Sequence, residues 1–164
     1  MSRRIIAVDP GSKGFFCVWD TQTDKRRYVS IADCNKAEIA AFLRDCTSDA
    51  PCVAVMEEVH AIFGSSAKAT FSFGEIFGFL QGLFVAYNIP YILVPPKEWQ
   101  KEIWTNYDKE FKSGKTIDTK KTSIMAAMRL FPDIDFRRTQ SCKVIDDNKV
   151  DATLIAEYAR RRNL

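Results

Sequence analysis

An α/β fold, built as a mixed five-stranded sheet with helices on both faces, follows from three observations. Strand-like and helix-like segments succeed one another as three strands, helix, strand, helix, strand and then helices. Two of the strand-like runs, 4–9 and 52–56, lack polar alternation, the pattern of strands buried on both faces. The length of 164 residues, with 46% hydrophobic and 27% charged residues, predicts one domain over 1–164 that can bury a core without disulfides or a structural metal.

Arg4-Ile5-Ile6-Ala7-Val8-Asp9 reads as the first strand, stopped by Pro10 and Gly11. Phe15–Asp20 and Arg26–Ile31 follow as two strands of a meander, joined by a polar turn. Asn35 is an N-cap signal for a helix over 36–46, with Ile39, Phe42 and Leu43 on its apolar side. Cys52–Met56 is the second buried strand and ends in Glu57-Glu58. A long helix is predicted over 67–87, where Gly74, Gly78 and Gly82 recur every four residues and share one face. Tyr91–Val94 is a strand closed by Pro95-Pro96, followed by a short helix over 97–104 and a polar loop over 105–118. Helices over 119–131 and 147–162 complete the order.

The apolar run between Ile76 and Tyr91 is broken by glycines, Gln81, Asn88 and Pro90, so no segment is expected to reach the ~20 residues of a membrane span. The apolar stretch behind Arg3-Arg4 is too short for a signal peptide, and a cytoplasmic or nucleoid-associated protein is expected, in the host cytoplasm if the source is viral. Five cysteines without a C-x-x-C pair, beside a single histidine, make neither a zinc set nor a disulfide framework. The net charge of +3 conceals an asymmetry. Residues 1–96 hold 9 Lys+Arg against 10 Asp+Glu, and 97–164 hold 15 against 11, a bias compatible with phosphate contacts or with solvated lysines.

Two buried strands thus end in carboxylates, Asp9 on one and Glu57 or Glu58 on the other. Asp147 and Asp151 lie four apart on the last helix and project from one face. If the two strands are neighbours, these acids form an all-oxygen pocket, whose self-repulsion calls for hard divalent cations such as Mg²⁺ or Mn²⁺. Each acid also has an ordinary reading: Asp9 as a turn residue, Asp146 and Asp147 as helix N-terminal acids. The conjunction of three places on different elements favours the metal reading.

At these residues the sequence resembles the RuvC-type Holliday junction resolvases. Ile6-Ala7-Val8-Asp9-Pro10-Gly11-Ser12 is similar to their opening strand motif and Val55-Met56-Glu57-Glu58-Val59 to their second. Asp147-Asn148-Lys149-Val150-Asp151-Ala152 resembles their C-terminal motif, above all in the phage and organellar branches. The resemblance implies a ribonuclease-H-like fold, a homodimer, and Mg²⁺-dependent nicking of four-way DNA junctions, with Mn²⁺ as a substitute. It makes Asp9, Glu57, Asp147 and Asp151 the catalytic metal ligands, with Glu58 and Asp146 as supporting residues. Bacterial members space the last two acids three apart, whereas Asn148 stands at that position here, and they carry an aromatic where this chain has His60.

A junction is bound through its phosphates, which needs spread cations. Lys112, Lys115, Lys120 and Lys121 are the favoured DNA contacts from the lysine-rich stretch, and His60 is assigned to base stacking or proton transfer, with a structural role as the alternative. Trp99 is read as a hydrophobic anchor. The glycine face of the long helix is expected to pack on the sheet, the alternative being the same helix of a second subunit. The competing functions are another nuclease of the same fold, cutting RNA:DNA hybrids, flaps or forks, and a non-catalytic DNA-binding scaffold. A two-domain actin-like ATPase would need more chain than this.

Overall fold

The computed structural model describes residues 3–59 and 66–164. Its sheet has five strands in the order β3-β2-β1-β4-β5. They are β1 (Arg4–Asp9), β2 (Phe15–Asp20), β3 (Lys25–Ser30), β4 (Cys52–Glu57) and β5 (Tyr91–Val94). The pairs β1–β2 and β2–β3 are antiparallel hairpins, and β1–β4 and β4–β5 are parallel, so the sheet is mixed as the element order requires. Helices α1 (Lys36–Cys46), α2 (Ala67–Ala86), α3 (Pro96–Ile103), α4 (Thr119–Leu130) and α5 (Asp147–Arg161) cover it.

Strand parity divides the core in two. Ile5, Ala7, Phe15, Cys17, Trp19, Val53 and Val55 meet α3, α4 and α5 on one face. Ile6, Val8, Phe16, Val18, Ala54 and Met56 meet α1 and α2 on the other. Because successive side chains on a strand point to opposite faces, a sheet covered on both sides needs apolar residues at every position, which is why β1 and β4 show no alternation. Helix α1 starts with a capping box, in which Asn35 accepts from the Glu38 N–H and the Glu38 side chain accepts from the Asn35 N–H.

Element ends differ from expectation by a residue at several places, and three features differ in kind. A single 3-10 turn, Ile31–Asp33, follows β3. The stretch expected as a polar loop folds into a small hairpin, with Phe111 bridged to Ile117 and Gly114 at its tip in the left-handed region (φ 84). Helix α2 departs most. Leu80 and Phe84 fill the layer beneath it, whereas a Cβ built on Gly74, Gly78 or Gly82 would find nothing within 4 Å. The expected packing of the glycines against the sheet is therefore corrected: large side chains fill the space between helix and sheet, which turns the small-residue stripe outward with Phe71 and Val85. The membrane-length expectation is corrected as well. Helix α2 runs for 20 residues, mostly unburied, and is long and apolar enough by length and composition to cross a membrane, because the helix begins at Ala67, well before the run counted from Ile76.

Candidate active site

Asp9 is the last residue of β1, and the turn behind it is shaped by glycine. A Cβ on Gly14 would stand 2.1 Å from the Asp9 carbonyl oxygen, so the chain folds back this closely only with glycine there. Gly11 adopts a φ of 146, the Gly14 N–H donates to the Gly11 carbonyl at 3.1 Å, and the Ile31 N–H to the Gly14 carbonyl at 2.9 Å. The aspartate is thereby held at the strand end.

Glu57 ends β4. The parallel register pairs Val8 with Met56, so Asp9 and Glu57 follow side by side at the same sheet edge. Parity selects Glu57 over Glu58. Ala7 and Val55 face α5, so Asp9 and Glu57, two residues on, share that face. The Glu58 N–H donates to the Val94 carbonyl at 2.8 Å, one step further along the strand.

Helix α5 lies against β1 and β2 and brings the remaining acids. Asp146 is its N-cap and accepts from the Asn148 and Lys149 N–H groups at 3.0 and 3.3 Å. Asp147 begins the helix, and Asp151 sits one turn later. The Asp151 Oδ1 atom is buried without a hydrogen-bond partner, and Ser123 of α4 hydrogen-bonds the same carboxylate.

Three of these carboxyls, Asp9, Glu57 and Asp151, are raised above the ordinary range. Burial, then the charges of Asp151, Glu57, Asp147 and Asp146, hold the Asp9 carboxyl well above the ordinary range. Burial lifts Asp151 to about 7, Ser123 and Lys120 opposing it and Glu57 and Asp147 adding to it. Burial likewise raises Glu57, against the pull of a hydrogen bond from Trp99. The Lys120 ammonium stands 2.5 Å from Asp147 Oδ2, and its own pKa is raised by that bond first and by Asp151 and Asp9 further off. Electrostatics thus link β1, β4, α4 and α5 in one acidic cluster, with Lys120 paired to Asp147.

As the side chains stand, no group of three or more among the described residues is gathered closely enough to hold a metal ion. The donor chemistry nevertheless fits a hard divalent cation: the set is all carboxylate, each member is partly buried, and Asp151 Oδ1 is an acceptor with no donor. Asp9, Glu57, Asp147 and Asp151 are the residues that would hold it.

The expected DNA-contacting residues separate. Lys112 and Lys115 are exposed near the tip of the small hairpin, Lys121 is exposed in the first turn of α4, and Lys120 faces Asp147. His60 lies outside the described residues. Sequence reasoning missed Lys13, Arg138 and Lys143, which line a groove of about 460 Å³ together with Asp146, Asp147 and Asn148. Lys13 lies in the Asp9 turn, so its position was a readable signal; Arg138 and Lys143 arrive through a loop no local pattern identifies. A larger groove of about 770 Å³, lined by Trp19, Arg26, Phe131 and Glu157, contains none of the clustered acids. Arg160 and Arg161 there are both engaged by the buried Glu157 carboxylate, so the acidic edge is the better candidate.

No protein-family model matches the chain, and no curated protein matches it by sequence. Solved structures do match in fold. The chain aligns with T. thermophilus RuvC in complex with a Holliday junction substrate at TM-score 0.56 and 9% identity, over 97% of this chain and 96% of that one. A second Thermus thermophilus RuvC structure aligns at TM-score 0.58 and 12% identity, over 98% and 96%. The fold is therefore the ribonuclease-H-like fold of RuvC, with the five-stranded sheet the sequence predicts; at such identities the likeness concerns fold alone.

Proposed function

We propose that this protein is a divalent-metal-dependent endonuclease that nicks four-way DNA junctions or related branched DNA. The observation that carries this reading is the electrostatic coupling of Asp9, at the end of β1, to Asp151, Glu57 and Asp147, with Asp151 Oδ1 buried and unpartnered. The RuvC-like fold and the bound junction in one of the similar structures support the substrate class. The four-residue spacing of Asp147 and Asp151 supports the phage and organellar branches within that family.

When bound, Mg²⁺ or Mn²⁺ supplies Lewis acidity toward the scissile phosphate and an activated water. The chain does the rest. Asp9 and Glu57, fixed by the parallel register, and Asp151, fixed by α5, would supply the carboxylate oxygens. Asp147, paired with Lys120, would be a further ligand, and the Lys120 ammonium would then be available to a phosphate oxygen. Lys112, Lys115 and Lys121, with Lys13 and Lys143 across the acids, offer cations to the backbone on either side. Arg138 is already engaged with Asp33 at 2.9 Å and contributes less.

Symmetric nicking of a junction requires two sites related by a two-fold axis. The outward stripe of Phe71, Gly74, Gly78, Gly82 and Val85 on α2 is the surface we assign to a second copy, since small residues let two helices approach closely.

Incubation of the purified protein with a labelled four-way junction and a matching linear duplex, with Mg²⁺ or EDTA, tests the proposal. Cutting of the junction in Mg²⁺ alone is expected, and Asp9→Asn should bind the junction without cutting it. Equal cutting of the duplex refutes junction specificity, and absence of cutting with Mg²⁺ and Mn²⁺ favours a DNA-binding scaffold.

A further inference from the structure

The geometry points to Trp99 as the residue that positions Glu57, by engaging one carboxylate oxygen and leaving the other free for a divalent cation. This rests on the metal-dependent reading above.

Trp99 is fully buried, and its indole Nε1–H donates to Glu57 Oε2 at 2.8 Å. The contact follows from chain topology. Glu57 pairs with Val94 across the parallel β4–β5 ladder, and α3 begins two residues beyond Val94, with Pro96 at its first position. Its first turn therefore rises from the strand next to Glu57, and Trp99 lies at the fourth helical position. Trp104 meets the Trp99 ring edge-on at 6.1 Å, and the Tyr158 hydroxyl of α5 donates to Glu98 at 2.5 Å. The helix carrying the indole is thus tied to the helix carrying Asp147 and Asp151.

An indole N–H donates and cannot accept. A carboxylate that turned Oε2 toward a cation would strand that N–H in the core, where no water replaces its partner. Glu57 is thereby restricted to presenting Oε1, in one orientation, to the space it shares with Asp9 and Asp151. Hydrogen-bond partners of metal-ligating carboxylates commonly govern affinity by 10–100-fold, and Trp99 is the donor to Glu57 that occupies that place here.

The test replaces the N–H and keeps the ring. Wild type, Trp99→Phe and a variant carrying β-(benzothien-3-yl)alanine at position 99, which preserves the bicyclic shape without the N–H, are titrated with Mn²⁺ in the absence of DNA by calorimetry and electron paramagnetic resonance. Nicking is then followed as a function of Mg²⁺ concentration. Both variants should weaken Mn²⁺ binding by roughly 10-fold and shift the half-saturating Mg²⁺ concentration upward by a similar factor, with the rate at saturating metal little changed. Wild-type Mn²⁺ affinity in the benzothienyl variant overturns the inference while leaving the metal-dependent reading intact. A loss of rate at saturating Mg²⁺ with unchanged metal affinity overturns it too. Absence of Mn²⁺ binding by wild type overturns both, whereas weakening confined to Trp99→Phe assigns the effect to ring packing and overturns the inference alone.

Discussion

Removing the charge of Asp151 should stabilise the metal-free protein at neutral and alkaline pH. Burial raises this carboxyl from 3.8 to about 7 in the folded chain. Between those values the native state keeps a proton that the unfolded chain releases, so stability falls as pH rises from about 4 to about 7 and stays at the lower level beyond. At ~1.4 kcal/mol per pKa unit the interval amounts to about 4 kcal/mol. Asp151→Asn is nearly isosteric and cannot ionise. In EDTA its melting temperature should match wild type near pH 4 and exceed it at pH 8 by on the order of 10 °C for a domain of this size. Circular dichroism melts at half-unit pH intervals, with and without Mg²⁺, measure this directly. Mg²⁺ should close the gap at pH 8 from the wild-type side, because a cation that binds only the folded state adds about 2.7 kcal/mol at a hundred times its dissociation constant. Parallel stability curves for the two proteins from pH 4 to pH 8 in EDTA would refute the buried acidic cluster itself, independently of any nuclease assay.

Three further outcomes are expected. Gly14→Ala forces a Cβ against the Asp9 carbonyl oxygen and should cost about 2–4 kcal/mol by denaturant titration, together with a loss of metal binding as the Asp9 turn shifts; unchanged stability would contradict the close approach. Asp108 is pushed upward by burial but pulled further down by Arg129 and Thr105, leaving its carboxyl below the ordinary range. Its contribution is therefore present above about pH 4 and lost on acidification, and Asp108→Ala, which removes the buried acceptor of Arg129 and Thr105 but leaves the guanidinium partly solvated and bonded to the Ile103 carbonyl, should lower stability by about 1–2 kcal/mol at pH 7 and by less at pH 3. Phe71→Asp and Gly78→Glu, placed on the outward stripe of α2, should convert a dimer to a monomer in light scattering while leaving the fold unchanged by circular dichroism. Dimers that persist would remove α2 as the interface, and flotation of wild type with anionic vesicles would reassign the stripe to a membrane surface.

The local half of this structure was legible because it depends on short-range pattern. Asn35 capping α1, Asp146 capping α5 and the unalternating runs of β1 and β4 each follow from a few neighbouring residues, and so did the strand-end positions of Asp9 and Glu57. The glycine stripe of α2 was legible as a stripe, but its direction was not. Which side of a helix meets the sheet depends on which side chains best fill the layer, and Leu80 and Phe84 won that competition. The hairpin over 111–117 escaped notice because a two-residue bridge leaves no periodicity to read.

By itself, then, the sequence determined the fold class, the order of the strands along the chain and the four acids worth watching, since all of these are written in residue type and spacing. Only the tertiary structure decided that β1 and β4 are neighbours in parallel register, that Glu57 rather than Glu58 shares a face with Asp9, and that Lys120 and Trp99 reach the acids from α4 and α3. The reason is physical: strand pairing and helix docking join residues far apart in the chain, such as Trp99 and Glu57, through the packing of the whole core, and no local pattern records which distant side chains that packing will bring together.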